Sequence, residues 1–449
     1  MRKLYNLVVD LETDSAIPPA RGIDVRDAAD DRTLAWIDQE FGGTWSSEAH
    51  AGSNVVAFRD SAPVGFATYD PQGLSFSWLR GIGTERGVGV FGPYGIARTE
   101  RGGLLGRELL HRALRGLRER GYARALIAAV GDERLIRYYA DACGARVAEE
   151  FDVEAMATPR PRATVMVSGS GTNLQSVLDR VRDGRLPLDV VSVVSNNPKA
   201  YALERARSWG VPSIRSVRWK RGEEPREQYD VRLLEEVRAD DPELVVLLGW
   251  MHLLSESFVR EFPHLLNLHP AFLPLDPERD RVVLPDGSEM PAFRGPDAVG
   301  DALRDGRTWT GATVHRVTPS TDRGPVLARK PLRVRAGETQ LDVMERLHPL
   351  EHDLVATALM RWVYERRALP SAERRFRAVP PAHDFRRGKR RDRGPCAFRR
   401  MRHRSRACGN VRSQRATSSG RNSRSDEIPT KVRRGLWSFD FAPSALRSV

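Results

Sequence analysis

Between residues 163 and 365 the sequence alternates short apolar runs with amphipathic helical segments, and this alternation limits the fold more than any other feature. The run LDVVSVVSN is followed by a helical segment with Leu203, Ala206 and Trp209 on one face, and a second helical segment, YDVRLLEEV, precedes ELVVLLG. An uninterrupted apolar run such as ELVVLLG is typical of a parallel strand that is buried on both faces. The pattern therefore predicts an α/β domain with a largely parallel sheet.

The first strand of this region ends in a glycine-rich turn, in the sequence ATVMVSGSGTNLQSVLDRV. Gly169 and Gly171 permit a ligand to approach the backbone closely. Thr172 and Asn173 offer hydrogen-bonding groups at the start of the following helix, where unpaired amides attract anions. The turn is a candidate phosphate site, and an ordinary strand-to-helix turn is the alternative interpretation.

Ligands of parallel sheets bind beyond the carboxyl ends of the strands, so polar residues directly after apolar runs are candidate site residues. In HLLNLHPAFLP, Asn267 and His269 are two residues apart and project from one face of an extended strand. Such residues can stabilise a developing oxyanion or transfer a proton near neutral pH. In GATVHRVTPSTDRGP, Asp322 lies in a polar turn, where it can fix the protonation state of the histidine or organise a water. We expect His315, on the strand itself, to support these residues rather than to react.

Together these residues closely resemble the folate-dependent formyltransferases, in particular the glycinamide ribonucleotide formyltransferases of purine synthesis, over roughly residues 163 to 365. The resemblance implies a Rossmann-like domain in which Asn267, His269 and Asp322 are catalytic. It also implies that the formyl group of 10-formyltetrahydrofolate is transferred to the glycyl amine of glycinamide ribonucleotide, and that no metal is required.

The same resemblance implies binding residues. The ribose phosphate of the substrate is expected at Gly171, Thr172 and Asn173, and its glycyl amine at Glu351 in the LEHD motif. The folate is expected to contact the following residues: Arg226, Met251, His252, Leu253, Leu254, Thr318 and Thr321.

Two departures from the family pattern leave the acceptor open. Ala271 follows His-Pro where the family usually has Ser, and the segment from Leu275 to Ala292 intervenes before FRGPDAVGDAL. Turn signals at Pro285-Asp286-Gly287 predict a hairpin in this segment, which is a candidate flap over the site. The alternative acceptors are an aminoacyl-tRNA, an amino sugar nucleotide or water, and the glycine turn favours a small phosphorylated amine.

The region before residue 152 has a different pattern. The runs VVAFRD, VGFATYD and VGVFGPYGIA alternate with turn signals and predict an antiparallel meander. Leucines at three- and four-residue spacings from Leu104 to Leu117 predict an amphipathic helix. A buried strand, YARALIAAV, and a helix from Arg134 to Cys143 are expected to follow.

This region resembles the GNAT acetyltransferases over roughly residues 20 to 152, in the turn and helix ARTERGGLLGRELLHRAL. The resemblance implies that acetyl-CoA is a possible second co-substrate, that Tyr138 or Tyr139 is a general acid, and that the domain is primarily an N-acetyltransferase in one alternative interpretation. Leu104 stands where the family turn usually has a central glycine. The candidate coenzyme A residues are Arg101, Gly102, Gly103 and Gly106.

The net charge of +13 comes from the end of the chain. Residues 371–449 contain 22 basic and 6 acidic residues, whereas the rest of the chain has a net charge of −3. The tail mixes Arg, Ser, Gly and Pro without helical or strand periodicity, and we expect it to be disordered. We therefore expect nucleic acid to bind only through this tail, which is the basis of an alternative interpretation as a nucleic-acid-binding protein.

A proline-containing linker, MATPRPRAT, separates the two patterned regions. We predict a GNAT-like domain over 1–158, a formyltransferase domain over 159–368 and a disordered Arg-rich tail over 369–449. Three cysteines cannot form a disulfide framework or a four-cysteine metal site. The opening residues show no secretory signal, and the best apolar run, Leu244 to Leu254, is too short to span a membrane. We expect a cytoplasmic protein of unknown oligomeric state.

Overall fold

The computed structural model describes residues 3–11, 17–71, 85–152 and 160–366. These residues form two seven-stranded sheets and belong to one unit of contacts that spans Met1–Arg386. We call residues 3–152 the N-terminal domain and residues 160–366 the C-terminal domain. The predicted boundary between residues 158 and 159 and the predicted tail over 369–449 lie outside the described residues and stay predictions.

The sheet of the N-terminal domain has the strand order β2-β3-β4-β5-β6-β1-β7, in which only β5 and β6 are parallel neighbours. The strands are β1 (Lys3–Asp10), β2 (Asp24–Arg26), β3 (Ser53–Arg59), β4 (Ala62–Tyr69), β5 (Val88–Ile96), β6 (Arg124–Val130) and β7 (Arg146–Asp152). The helices are α1 (Asp31–Glu40), α2 (Trp45–His50), α3 (Leu105–Glu119) and α4 (Glu133–Cys143). The predicted meander, helix, strand and helix are confirmed.

The two faces of this sheet are covered by different helices. The buried leucines of α3, among them Leu109 and Leu117, pack on one face, as their spacing predicted. On the other face, Leu34 and Ile37 of α1 pack with Phe66 of β4. One side of α1 therefore packs in the core of the N-terminal domain, and its other side is free to contact the C-terminal domain.

Strands β5 and β6 part in the middle of the sheet. They pair only from Val88 to Phe91, after which β5 continues beside β4 and β6 continues beside β1. A cavity of about 430 Å³ opens where they diverge. Its wall includes Tyr94 and Tyr139 of this domain together with Met360 and Arg361 of the C-terminal domain.

The C-terminal domain has the strand order β10-β9-β8-β11-β12-β15-β16. The first five strands are β8 (Arg162–Val167), β9 (Asp189–Ser195), β10 (Ser213–Ser216), β11 (Leu244–Leu248) and β12 (Leu265–His269), and they are parallel. Strands β15 (Trp309–Arg316) and β16 (Val326–Arg333) extend the sheet antiparallel. The predicted, largely parallel sheet is confirmed.

Helices cover both faces of this sheet and create its two apolar clusters. They are α5 (Thr172–Arg182), α6 (Tyr201–Trp209), α7 (Arg226–Arg238), α8 (Glu256–Glu261), α9 (Ala298–Arg304) and α10 (Gln340–Arg366). Among the helices of the described ranges, none has both the length and the apolarity that a membrane crossing requires.

The inserted segment forms the predicted hairpin, with strands β13 (Arg281–Val283) and β14 (Glu289–Pro291). Its interpretation as a flap over the site stays a prediction. The hairpin packs against α1 and the C-terminal sheet in one apolar cluster, because its inward side chains are apolar and have Ala35 and Trp309 as neighbours. The members of this cluster are Ala35, Phe272, Val282, Leu284, Met290 and Trp309.

A buried ion pair also connects the two domains. Asp38 of α1 is fully buried and its Oδ2 atom accepts a hydrogen bond of 2.7 Å from Nε of Arg329 on β16. Burial raises the pKa of Asp38 to about 6, although the guanidinium beside it acts in the opposite direction. The contact is sensitive to the loss of either partner, because a buried charge without a counter-charge is costly.

We expect Arg329→Met to lower the free energy of unfolding by about 3 to 5 kcal/mol, because the substitution leaves the Asp38 carboxylate buried without its counter-charge. Urea unfolding measured by circular dichroism tests this. Arg333→Met, at the exposed end of the same strand, is the matched control and should change the free energy by less than about 0.5 kcal/mol. Equal stability of the two variants would contradict the assigned role of the ion pair.

Candidate active site

Three adjacent parallel strands, β8, β11 and β12, end at one edge of the C-terminal sheet. The glycine turn follows β8, the segment with Met251 follows β11, and Asn267 and His269 lie at the end of β12. The backbone N–H of Met251 donates to Oγ of Ser168 at 3.0 Å, so the first two segments are in direct contact. The sheet thus brings the predicted phosphate, folate and catalytic residues to the same edge.

The structure brings Asn267, His269 and Asp322 together. The side-chain amide nitrogen of Asn267 is 3.4 Å from Oδ1 of Asp322, and Nδ1 of His269 is 3.5 Å from Oδ2 of the same carboxylate. These contacts are at the long end of hydrogen bonding. The amide and the imidazole therefore share one carboxylate and remain available to rearrange around a ligand.

Asp322 is held in a tight turn after β15, with a positive φ of 52°. Burial alone raises the pKa of its carboxyl group, but His315, His269 and the backbone N–H of Gly295 together lower the pKa to about 2. The Gly295 N–H donates to Oδ2 at 3.0 Å. Asp322 is therefore ionised across the neutral range, and a carboxylate with so low a pKa is a weak base.

His269 is almost fully buried, and burial lowers its pKa against the opposing effect of Asp322. Its Nε2 atom lies 2.8 Å from the carbonyl oxygen of Phe293, so in the neutral ring Nε2–H donates to that carbonyl. The second nitrogen, Nδ1, faces Asp322. The N–H of His269 must break its hydrogen bond to the Phe293 carbonyl before it can donate to a substrate.

His315 lies directly across from Asn267 in the β12–β15 ladder. Its Nδ1–H donates to the carbonyl oxygen of Arg316 at 2.7 Å, and its Nε2 is 3.3 Å from the amide nitrogen of Asn267. The same Nε2 atom is 3.5 Å from Oδ1 of Asp322, so His315 contacts both the amide and the carboxylate. The position agrees with the supporting role predicted for His315.

The glycine turn leads into α5 with Gly171 in a left-handed conformation at φ 73°. A side chain there would collide with the backbone of Ala202, so both the conformation and the close approach require glycine. Gly169 has open space around it, and Thr172 is the first residue of the helix. Backbone amides at this turn are the groups that could hold a phosphate.

Asn173, in the first turn of α5, donates from Nδ2 to Oε2 of Glu351 on α10 at 2.9 Å. Its Oδ1 atom is buried and has no hydrogen-bond partner among the described residues. Burial raises the pKa of Glu351 to about 7. The Oδ1 atom is thus a buried acceptor without a donor, and the carboxyl group beside it has a pKa near neutral pH. This combination fits a ligand that carries N–H or O–H groups.

The predicted folate residues surround the segment after β11. Arg226 donates to the carbonyl oxygen of Leu253, and Tyr229 lies 3.0 Å from Nδ1 of His252. Met251 and Leu253 are large apolar side chains that are 58% and 69% exposed, which suits an apolar ring system.

The neighbouring groups also fit a heteroaromatic ligand. The indole N–H of Trp250 is buried and has no acceptor among the described residues, while Leu254 is half-buried. In the turn that bears Asp322, the hydroxyl of Thr318 donates to the carbonyl of Ser320 and Thr321 is exposed. The residues present therefore fit a folate by both polar and apolar contacts.

Three arginines at the site were not predicted from the sequence. Arg205 of α6 donates to the carbonyl oxygen of Ser170 in the glycine turn at 2.9 Å, and Arg294 donates to the carbonyl oxygen of Asp322 at 3.3 Å. Arg323 follows Asp322 and bonds to the segment before the hairpin. The chain contains 66 arginines, so residue type gave no signal for these three.

The candidate coenzyme A turn of the N-terminal domain is only partly suited to its ligand. Gly102 and Gly103 have open space around them. The hydroxyls of Tyr94 and Tyr138, however, are 3.0 Å apart, and a Cβ atom on Gly106 would lie 2.5 Å from the first and 3.1 Å from the second.

Tyr138, one of the two candidates for the general acid, is a member of this tyrosine pair, and Tyr139 lines the cavity between β5 and β6. Arg101 bonds to the carbonyl of Ile96 and Leu104 is half-exposed at the start of α3. The turn is therefore open at Gly102 and Gly103 and crowded at Gly106. In the described part of the chain, moreover, no group of three or more His, Cys, Asp or Glu side chains could hold a metal ion.

The raised pKa of Glu351 makes stability depend on pH. The unfolded value is near 4.5 and the folded value is about 7, so the stabilising contribution is complete below pH 4.5 and is lost as the pH rises through 7. We expect wild type to lose about 3 kcal/mol relative to Glu351→Gln between pH 4 and pH 8. Urea unfolding at both pH values measures this, with exposed Glu345→Gln on the same helix as control. A constant difference between wild type and Glu351→Gln would contradict the shift.

Two families match the chain. The formyl transferase family matches residues 161–275 and 280–359, and the acetyltransferase (GNAT) family matches residues 17–145. The gap in the first match falls within the inserted segment. Both matches agree with the two resemblances found in the sequence.

Several known proteins are similar to the C-terminal domain. The phosphoribosylglycinamide formyltransferase of Escherichia coli (strain K12) is 33% identical over 189 residues, which is 42% of this chain and 80% of that protein. The same enzyme of Bacillus subtilis (strain 168) is 29% identical over 189 residues, 42% of this chain and 87% of that protein. The crystal structure of glycinamide ribonucleotide transformylase 1 from Symbiobacterium toebii is 35% identical, covers 45% of this chain and 88% of its own, and has a TM-score of 0.40.

The trifunctional purine biosynthetic protein adenosine-3 of Drosophila pseudoobscura pseudoobscura is 32% identical over 200 residues, 44% of this chain. The chain spans only 13% of the length of that relative. With a third of its aligned residues identical to those of the Escherichia coli enzyme and most of that enzyme covered, the chain belongs to the phosphoribosylglycinamide formyltransferase family and carries an N-terminal domain of the GNAT family.

Proposed function

We propose that the protein transfers the formyl group of 10-formyltetrahydrofolate to the glycyl amine of glycinamide ribonucleotide in purine synthesis. The convergence of Asn267, His269 and Asp322 at the strand edge that also holds the glycine turn is the observation that carries this proposal. The activity of the Escherichia coli and Bacillus subtilis relatives supports it. We expect the reaction to take place in the cytoplasm.

The folate co-substrate supplies an activated formyl carbon when it is bound. Negative charge then grows on the formyl oxygen as the amine attacks, and groups that donate hydrogen bonds to that oxygen lower the barrier. The amide of Asn267 is a neutral donor whose two protein contacts are long, at 3.3 and 3.4 Å, so redirecting it to a substrate oxygen costs little.

His269 is the second candidate donor. Because burial lowers its pKa, the free ring is neutral and holds its N–H on the carbonyl of Phe293. Asp322 remains ionised 3.5 Å from Nδ1 and would stabilise a protonated ring. We propose that Asp322 acts through its charge on His269 rather than as the base itself. As the bond between the formyl carbon and the folate nitrogen breaks, that nitrogen takes up a proton from the protonated His269 ring, which balances the proton that the amine loses.

Glu351 is better suited to accept the proton that the amine loses. Its pKa of about 7 places its ionisation near the operating pH, where proton acceptors are most effective. Its partner Asn173 lies in the first turn of α5, beside the amides proposed to bind the substrate phosphate. An amine and a phosphate on one small acceptor could therefore contact α5 and α10 together.

The other acceptors weighed from the sequence are an aminoacyl-tRNA, an amino sugar nucleotide and water. The unpaired Oδ1 of Asn173 and the open space at Gly169 favour a small phosphorylated amine over water, because a water acceptor requires no phosphate site. Incubation with 10-formyltetrahydrofolate and each acceptor separately distinguishes them. Release of free formate at the same rate with and without the amine would identify a hydrolase.

We expect Asn267→Ala and Asp322→Ala each to lower kcat for formyl transfer by about a hundredfold or more, because each removes a group that stabilises developing charge. Initial rates with purified protein and glycinamide ribonucleotide measure this. Asp183→Ala, an exposed carboxylate after α5, is the control and should retain full activity. Unchanged formylation in either site variant would reject the proposed site.

Acetyl transfer by the N-terminal domain is a second candidate function. The GNAT family match and the parting of β5 and β6 favour it, whereas the Tyr94–Tyr138 contact beside Gly106 opposes it. Because these observations point in opposite directions, we do not assign this activity to the domain.

We expect calorimetric titration to show no acetyl-CoA binding to the wild-type protein. Tyr94→Ala removes one side of the tyrosine pair and should permit binding if the amides of Gly102 and Gly103 are competent to hold a pyrophosphate. Tyr201→Ala, exposed in the C-terminal domain, is the control. Binding of acetyl-CoA by the wild-type protein, together with acetylation of an amine, would contradict this prediction and support the second activity.

A further inference from the structure

We propose that α1 of the N-terminal domain positions the catalytic residues of the C-terminal domain. Asp38 acts through Arg329 on the chain that follows His269, and the segment before the inserted hairpin acts on the turn that bears Asp322. The proposal rests on the formyl transfer proposed above. It gives the N-terminal domain a role in that reaction that does not depend on a coenzyme.

Asp38 is fixed by several partners and is fully buried. Its two carboxylate oxygens accept from the hydroxyl of Ser46 and from Nε of Arg329. Arg329 is itself 3% exposed, and its backbone N–H donates to the carbonyl of Gly43 at 3.3 Å. Residues of the N-terminal domain therefore hold one side of the guanidinium.

From that position, Arg329 holds the chain after the catalytic histidine. Its second nitrogen, Nη1, donates to the carbonyl oxygen of Leu273 at 2.7 Å, and its guanidinium lies 4.4 Å from the centre of the Phe272 ring. Within the C-terminal domain, the hydroxyl of Thr313 accepts from Leu273 N–H and donates to the carbonyl of Ala271. The residues that follow His269 and Pro270 are thus fixed from both domains.

A second connection reaches Asp322. Arg279, in the segment before the hairpin, pairs with Asp31 of α1, and its carbonyl oxygen accepts from Arg294 at 2.8 Å. Arg294 in turn donates to the carbonyl oxygen of Asp322. The adjacent carboxylate, Asp280, pairs with Arg294.

The same carboxylate, Asp280, also bonds to Arg323, the residue after Asp322. Arg279 and Asp280 therefore bind Arg294 and Arg323, which contact or adjoin Asp322. Arg279 is in turn paired with Asp31 of α1. Since His269 is the last residue of β12 and Asp322 lies in the turn after β15, their separation depends on these supports.

Asp38 and Asp280 are positioning residues: their hydrogen bonds in the described ranges go to Ser46, Arg329, Arg294 and Arg323 and not to the glycine turn or the folate segment. Loss of either support should therefore change the geometry around the reacting atoms more than the binding of either substrate. Small displacements of catalytic groups lower the rate strongly because the bound reactants are no longer aligned. The expected signature is a lower kcat with little change in KM.

The test uses the full chain and steady-state formyl transfer to glycinamide ribonucleotide. We expect Asp38→Asn, which keeps the size of the side chain and removes its charge, to lower kcat about tenfold with both KM values within about twofold. Asp24→Asn, an exposed carboxylate paired with Arg26, is the matched control and should keep the wild-type kcat. Absence of formyl transfer by wild type would reject the proposed function before this variant is considered.

Near-UV circular dichroism establishes whether each variant is folded. Asp280 lies on the exposed segment before the hairpin, so Asp280→Asn tests the proposal if Asp38→Asn does not fold. We expect Asp280→Asn to lower kcat about threefold, again with KM unchanged. A folded Asp38→Asn with wild-type kcat and a lower melting temperature would overturn the proposal, because α1 would then contribute stability alone. So would wild-type kcat in Asp280→Asn.

Discussion

The parallel pairing of β8, β11 and β12 is the constraint on which the site depends. Parallel neighbours must end at the same edge of a sheet, so segments that are distant in sequence meet there without any contact of their own. The glycine turn, the segment with Met251 and the pair Asn267 and His269 each follow one of these strands. A one-residue shift of β12 would turn Asn267 and His269 to the opposite face of the sheet.

Electrostatics divide the two carboxylates of the site into different roles. Asp322 and Glu351 are both largely buried, but Asp322 is beside two imidazoles and a backbone N–H, whereas Glu351 has one amide. At Asp322 the hydrogen-bond donors lower the pKa more than desolvation raises it, and the pKa is about 2. At Glu351 desolvation has the larger effect, and the pKa is about 7. Such divergence in one site provides a permanent charge and an exchangeable proton at the same pH.

The sequence predicted much of this arrangement because the relevant signals are local. Strand and helix periodicity identified the two sheets, and the Asn-x-His and Asp-x-Gly-Pro patterns identified three residues that the structure brings together. The hairpin was predicted from its turn residues, but its packing partner was not, since Ala35 lies far away in the chain.

The contacts that sequence could not supply join distant residues. Asp38 and Arg329 are 291 positions apart, and each alone reads as an ordinary helix or strand residue. The bond between His269 and the carbonyl of Phe293 involves a backbone atom, which no residue type reveals. The Tyr94–Tyr138 pair likewise arises only when α4 packs against β5, so the turn sequence alone suggested an accessible coenzyme site.

The apolar cluster shared by α1, the hairpin and Trp309 ties the architecture of one domain to the presence of the other. Met290, Val282 and Leu284 pack with Phe272 and Trp309 of their own domain, and Ala35 of α1 completes the cluster. A graft that replaces the C-terminal half with a single-domain relative would leave α1 facing a surface without its complement. The hairpin and α1 therefore have to be kept together when either domain is transferred to another protein.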